Sequence, residues 1–287
     1  MSVPTATPTV AFTTPPSYAA RLAGLLALKG FNPISSPTLI VQPTPSTISA
    51  LKPYLSPPPS LDLFSAIAFP SRTAITALSA AAADINHPLL SPHGDAFIIA
   101  ALGKDAELMD DNFVHKLSSN PNRVRILVPP TATPRGLVEA LGDGRNRRVL
   151  CPVPVVVGLV EPPVVPDFLR DLEAKLWVPV RVNAYETRWA GPGCAKQVVE
   201  RIEEGALDAM VFTSTAEVEG LLKSFKEFGL DWEMAKKRCP KMLVAAHGPI
   251  TAAGAHMLGV RVDLVSSQFD SFEGVVDALH TEISRLC

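Results

Sequence analysis

The chain has 287 residues, 47% of them hydrophobic and 19% charged, with a formal net charge of −2. That is enough apolar material for two ordinary cores. No block of lysine and arginine is long enough to track a phosphate backbone, which excludes nucleic acid as a partner. The apolar runs, such as 77–83 and 153–160, fall short of the roughly 20 residues that cross a bilayer, so no membrane partner is expected. In chain order, residues 9–14 read as a buried strand, Pro15-Pro16 leads into an amphipathic helix over 17–28, and Gly30 ends it. Residues 34–41 are β-prone but interrupted by Pro37, which suits a connector. The Pro- and Ser-rich stretch 42–61, with Pro57-Pro58-Pro59, reads as a flexible surface loop. From Asp62 onward, strands at 65–69, 96–101, 124–128 and 148–152 alternate with helices. The helices run through the alanine-rich segment to Ala83 and then over 104–117, 137–141 and 166–176. A second connector at 180–185 precedes a helix at 195–204, a strand at 209–213 and a mixed-charge stretch at 233–241 with a solvated face. This alternation predicts an α/β fold of parallel, doubly wound sheets.

The order of short motifs occurs twice, about 140 residues apart. Ile67-Ala-Phe-Pro-Ser-Arg, Phe97-Ile-Ile-Ala-Ala-Leu-Gly-Lys-Asp-Ala and Pro130-Thr-Ala-Thr-Pro-Arg-Gly are answered by Met210-Val-Phe-Thr-Ser-Thr, Leu243-Val-Ala-Ala-His-Gly-Pro and Ser267-Gln-Phe-Asp-Ser-Phe-Glu. A repeat this long predicts a pair of similar domains, not a solenoid. The N-terminal β–α unit is expected to complete the C-terminal domain. The expected division is therefore 1–36 with 187–287 as one discontinuous domain, 43–180 as an inserted domain, and 37–42 with 181–186 as linker strands.

Cys151, Cys194, Cys239 and Cys287 form no CxxC pair, so reduced thiols are expected, and the histidines show no ligand spacing, so no metal is expected. Residues 1–9 carry neither the arginines of a transit peptide nor a signal-peptide core. The expected location is the cytoplasm, with the plastid stroma as the alternative. Gly142-Asp-Gly-Arg reads as a turn, and Gly191-Pro-Gly-Cys-Ala-Lys lacks P-loop spacing, so nucleotide chemistry has no motif.

Taken together, Val10-Ala-Phe-Thr-Thr-Pro with Ala20-Arg-Leu, Phe69-Pro-Ser-Arg and Ala132-Thr-Pro-Arg-Gly-Leu-Val-Glu-Ala-Leu resemble the uroporphyrinogen-III synthase family. The later blocks Val182-Asn-Ala-Tyr-Glu-Thr, Asp208-Ala-Met-Val-Phe-Thr-Ser, Ala245-Ala-His-Gly-Pro-Ile-Thr-Ala and Glu273-Gly-Val-Val-Asp-Ala-Leu extend the resemblance over nearly the whole chain. The resemblance implies two flavodoxin-like domains joined by a two-strand linker, with the substrate in the cleft between them. It also implies cofactor-independent cyclisation of hydroxymethylbilane to uroporphyrinogen III, with inversion of the terminal pyrrole ring. A monomer is implied, receiving its small-molecule substrate in transient contact with hydroxymethylbilane synthase. Tyr185 is the residue the family places for assisting hydroxyl departure. The substrate-binding positions implied are Thr14, Ser71, Gly103, Thr213, Ser214, Thr215, Gly248, Thr251 and Ser271.

Physical reasoning agrees with such a site. Ligands of doubly wound sheets lie beyond the carboxyl ends of the strands, where Ser71, Gly103, Ser214 and Gly248 should each open a strand-to-helix turn. Helix N-termini can hold an octacarboxylate without many basic residues. Gly103 and Gly248 allow close backbone approach, and Thr213, Ser214 and Thr251 add hydroxyl donors. Plainer roles stand beside these. Tyr185 can pack as a linker tyrosine, Ser71 and Ser214 can cap helices at about 1 kcal/mol each, Thr251 can lie in a first helical turn, and His247 can be a strand-end side chain.

The chain also departs from the family pattern. Thr14 precedes Pro15 where an arginine is common, Ala106 replaces a hydroxyl residue, Ser214-Thr215-Ala216 replaces Ser-Pro-Ser, and Cys151-Pro-Val-Pro replaces an Arg-Gly pair. Each change removes a polar contact, so a silent relative that binds a tetrapyrrole or other polyanion is the rival reading. A two-lobed receptor resembling periplasmic binding proteins is a third.

Overall fold

A computed structural model describes residues 7–56, 60–268 and 271–286 of the chain. The first elements are β1 (Thr9–Phe12), α1 (Pro16–Leu28), β2 (Asn32–Ser35), β3 (Leu39–Gln42), α2 (Pro45–Leu55), β4 (Ala66–Phe69), α3 (Arg72–Ala81) and β5 (Phe97–Ala101). Then come α4 (Asp111–Leu117), β6 (Val124–Leu127), α5 (Pro134–Leu141), β7 (Arg148–Val157), α6 (Val164–Ala174) and β8 (Val178–Trp189). The chain ends with α7 (Lys196–Glu203), β9 (Ala209–Phe212), α8 (Thr215–Glu227), α9 (Trp232–Arg238), β10 (Leu243–Ala246), α10 (Pro249–Met257), β11 (Leu264–Val265) and α11 (Glu273–Leu286).

The chain divides into two compact units. One comprises Met1–Ile40, Gly158–Val160 and Arg188–Cys287; the other comprises Val41–Val157 and Glu161–Thr187. The first holds a five-stranded sheet in the order β11-β10-β9-β1-β2, and each of its neighbouring pairs is parallel. β1 thus lies between β2 and β9, with Val10 opposite Pro33 on one side and Ala209 on the other. The six-stranded sheet has the order β3-β8-β7-β4-β5-β6, and β4 pairs parallel with both β5 and β7. The expected α/β class of doubly wound parallel sheets is what the chain forms.

Strand side chains alternate between faces, and each face meets its own helices. In the five-stranded sheet, Ala11, Met210, Phe212 and Val244 pack with Val198, Ile202, Leu221 and Phe225 of α7 and α8. The opposite face, with Val10, Phe12, Val211 and Ala245, packs with Leu22, Leu26, Val275 and Leu279 of α1 and α11. In the six-stranded sheet, Ile67, Phe69 and Ile99 face α2 and α3, while Ala66, Ala68 and Ala100 face α5 and α6.

The loop expected over 42–61 is corrected, because 45–55 is the helix α2. Its proline content misleads. Pro45 occupies the first helical position, where an N–H has no intrahelical partner anyway. Thr44 closes a capping box with Thr47. Thr47, Leu51 and Leu55 then fall at helical spacing on the buried side. Pro57-Pro58-Pro59 lie outside the described residues. The connector expected at 34–41 is likewise divided: β2 joins the edge of the five-stranded sheet, where Pro33 is tolerated, and Pro37 falls between β2 and β3. The helix expected over 104–117 breaks into a 3-10 turn, Gly103–Leu108, and α4, because Asp110 caps a new start by accepting the Phe113 N–H at 2.9 Å.

Among the described residues no helix is long and apolar enough to cross a membrane. Cys151, Cys194 and Cys239 are free thiols, and Cys287 lies outside the described residues. Leu51 is fully buried in the core beneath α2. Leu51→Ala should therefore lower stability by about 2–5 kcal/mol, read from the urea midpoint. A change within about 0.5 kcal/mol, the range of surface substitutions, would show that α2 is peripheral.

Candidate functional site

In a parallel sheet each strand enters its helix at the same edge, so side chains from successive strands gather there. In the unit containing β4 to β7, Ser71 follows β4 in extended conformation and caps α3, its Oγ accepting the Ala74 N–H at 3.3 Å. The same oxygen lies 2.8 Å from the phenolic oxygen of Tyr185 on β8. Tyr185 is only 5% exposed and belongs to the core cluster of this unit. It is at once a packed tyrosine and the partner of a cap.

Gly103 follows β5 at φ +45°, and a Cβ there would stand 3.2 Å from that of Ala132, so the position favours glycine twice over. It opens the turn that carries Asp105. Burial pushes the Asp105 carboxyl up, opposed by the charge and backbone N–H of Arg72. Burial also pushes the Tyr185 phenol up to about 12, with Ser71 opposing and the charge of Asp105 adding to the rise. Tyr185 is therefore a neutral O–H at physiological pH, able to donate a hydrogen bond and unable to act as a base. Ser71 Oγ already accepts from Ala74, so its own hydrogen can go to Tyr185, leaving the phenolic hydrogen for a third atom.

In the other unit, β1, β9 and β10 run out at Thr13-Thr14, Thr213-Ser214 and His247-Gly248. Ser214 caps α8 as expected, accepting the Glu217 N–H at 3.4 Å. The centre of the group is Glu217, a residue that sequence reasoning passed over. It is 1% exposed. Its Oε2 accepts the Thr13 hydroxyl at 3.0 Å and the Thr213 N–H at 3.0 Å. Its Oε1 accepts the Thr213 hydroxyl at 2.5 Å and the Ser214 hydroxyl at 3.2 Å. Burial pushes this carboxyl up, and the hydrogen bonds from Thr213, Thr13 and Ser214 pull the other way. Four donors fill the acceptor capacity of an ionised carboxylate.

The neighbouring hydroxyls follow from this. Thr213 gives its hydrogen to Glu217, so in the 3.5 Å contact between Thr14 and Thr213 hydroxyls Thr14 is the donor. The Thr251 hydroxyl donates to the Thr213 carbonyl at 3.2 Å. The hydrogens of Thr14, Thr213, Ser214 and Thr251 thus point into the protein, against the expectation that Thr213, Ser214 and Thr251 offer them outward. Thr215 packs on Gly254, where a Cβ would fall 2.0 Å from its Oγ1. Gly248 is extended at φ −163°, a conformation any residue adopts, so backbone shape demands no glycine there. Ser271 lies just ahead of α11, where it donates to Glu273. The His247 ring centre lies 5.2 Å from that of Phe272.

Asp105, Thr13 and Glu217 were all missed. A signal existed for Glu217, since Ser214-x-x-Glu217 has capping-box spacing. Nothing in the sequence places Thr13 beside it across 204 positions. Among the described residues no group of histidine, cysteine or acidic side chains could hold a metal ion.

The model of the family described as uroporphyrinogen-III synthase HemD matches residues 20–275. No curated protein matches the chain. Among solved structures, a mutant uroporphyrinogen III synthase from the extremely thermophilic bacterium Thermus thermophilus is similar at 16% identity and TM-score 0.55, covering 97% of this chain and 99% of that one. The uroporphyrinogen-III synthetase of Helicobacter pylori is similar at 14% identity and TM-score 0.52, with the same shares covered. At these identities the structures speak for the fold, and the family match over most of the length speaks for membership. The chain belongs to the uroporphyrinogen-III synthase family, and with it to tetrapyrrole biosynthesis.

Proposed function

We propose that this member is a lyase-type cyclase that converts hydroxymethylbilane to uroporphyrinogen III, with Tyr185 assisting departure of the hydroxyl group. The observation that carries this reading is the 2.8 Å contact between Tyr185 and Ser71, beside a phenol that burial pushes up to about 12. A hydroxyl leaves as water only when a proton reaches its oxygen as the C–O bond breaks; Tyr185 would give that proton and regain one from the pyrrole carbon that loses its own when the macrocycle closes. With Ser71 donating to Tyr185, the phenolic hydrogen is aligned for that oxygen. The azafulvene cation that remains would feel the Asp105 carboxylate, whose charge already reaches Tyr185. Substrate carboxylates would meet backbone N–H groups at the N-terminus of α3. Inversion then depends on holding the chain ends so that closure follows spiro rearrangement. The protein would act as a monomer supplied by hydroxymethylbilane synthase.

The deciding assay generates hydroxymethylbilane in place, oxidises the products and separates the uroporphyrin isomers. Isomer III should predominate, and isomer I alone would refute the assignment. Tyr185→Phe should slow isomer III formation by about 100-fold, while the loss of one hydrogen bond lowers stability by only about 1 kcal/mol. An unchanged rate would remove Tyr185 from the chemistry. Ser71→Ala deletes both the cap and the donor to Tyr185, so it should lower stability by about 1 kcal/mol and slow turnover. In the parent enzyme no tyrosinate limb should appear in the pH–rate profile below the phenol's titration at about 12; a limb near neutrality would contradict the buried, neutral phenol.

A further inference from the structure

The strongest feature outside the Tyr185 group is the carboxyl group of Glu217, which none of the expected site residues accounts for. It lies in the first turn of α8, sealed at 1% exposure, and takes hydrogens from Thr13, Thr213 and Ser214. A buried carboxylate is costly, and a helix cap needs only the serine that is already present.

We infer that Glu217 is a positioning residue that decides whether this rim offers hydroxyl hydrogens to an anionic group: ionised, it draws them inward, and protonated, it releases them. In the ionised state the half-buried Thr213 and Ser214 hydroxyls face outward only as lone pairs, while the buried Thr13 and Thr14 give their hydrogens to Glu217 and Thr213. A carboxylate arriving there meets acceptors and a buried negative charge. In the protonated state Glu217 keeps one hydrogen of its own to donate, and at least one hydroxyl turns outward. Binding an anionic tetrapyrrole then takes up a proton. Burial pushes the Glu217 carboxyl up, opposed by the hydrogen bonds that it accepts.

The groups that hold the carboxylate are neutral. The titratable and charged side chains on the elements around α8 include His247 after β10, His256 on α10, Cys194 before α7, the charged residues of α7, and Glu219, Lys223, Lys226 and Glu227 further along α8. None of these is among the causes that shift Glu217. They are unchanged in a Glu217 variant, so the difference between two proteins isolates Glu217.

This inference rests on the proposed function for the identity of the anion but is tested separately from it. Uroporphyrin III, a stable octacarboxylate, serves as the probe in titrations of the full chain, Glu217→Gln and Glu217→Ala from pH 5 to 9. Circular dichroism checks that each variant is folded, and the alanine variant serves if the glutamine variant is not. Affinity of the parent protein should weaken with rising pH more steeply than that of either variant, and at the alkaline end the variants should bind at least about tenfold tighter, in keeping with one charge-assisted hydrogen bond. Parallel pH curves, or no binding by any of the proteins, would overturn the inference. Isomer III formed by a parent protein whose curve parallels the variants leaves the cyclase standing without this role for Glu217. Separated curves with no isomer III do the reverse.

Discussion

The arrangement depends first on the parallel pairing of β1 between β2 and β9. Val10, Ala11 and Phe12 hydrogen-bond on both sides and are fully buried. Because the pairs are parallel, the three strands end at one edge, and that edge alone lets Thr13, Thr213 and Ser214 converge on a single carboxylate. An antiparallel neighbour would send one of these ends to the opposite side of the sheet. Topology, more than the identity of any residue, makes the rim.

The same rule operates in the other unit with different chemistry. There the edge brings Ser71 and the turn bearing Asp105 beside a tyrosine from β8. Each unit uses a capping serine as the pivot: Ser71 hydrogen-bonds with a phenol, and Ser214 donates its hydroxyl to a carboxylate. The two repeats share a scaffold but not an outcome. One partner is a phenol that burial pushes further up, while the other is a titratable acid under competing pressures from burial and hydrogen bonding.

Most of the fold was legible because strand and helix periods alternate cleanly and the motif order recurs. Ser71, Gly103 and Ser214 could be placed at strand-to-helix turns, since small and hydroxyl residues at those points have a local reason to be there. What escaped was non-local or concealed by composition. Pro45 and Pro53 disguised α2, whose capping box and buried leucines outweigh them. Glu217 looked like an ordinary first-turn glutamate, and only its tertiary partners 204 and 4 positions away make it a buried hub. Hydroxyl direction was likewise invisible: a threonine's position can be read from a motif, but the destination of its hydrogen cannot.

The placement of β1 also governs how the polypeptide is made. The Thr9 amide donates to the Asp208 carboxylate across 199 positions of chain, so a strand synthesised early must wait for a partner synthesised much later. At roughly 5–20 residues per second that delay is on the order of 10–40 seconds. During it the six-stranded unit, apart from one brief excursion, emerges as a single run and can complete itself. Meanwhile Val10, Ala11 and Phe12 can pair with β2 but keep the edge meant for β9 open, a form prone to pairing with a neighbouring nascent chain. The five-stranded unit therefore closes last, when β9 emerges to pair with the waiting edge of β1.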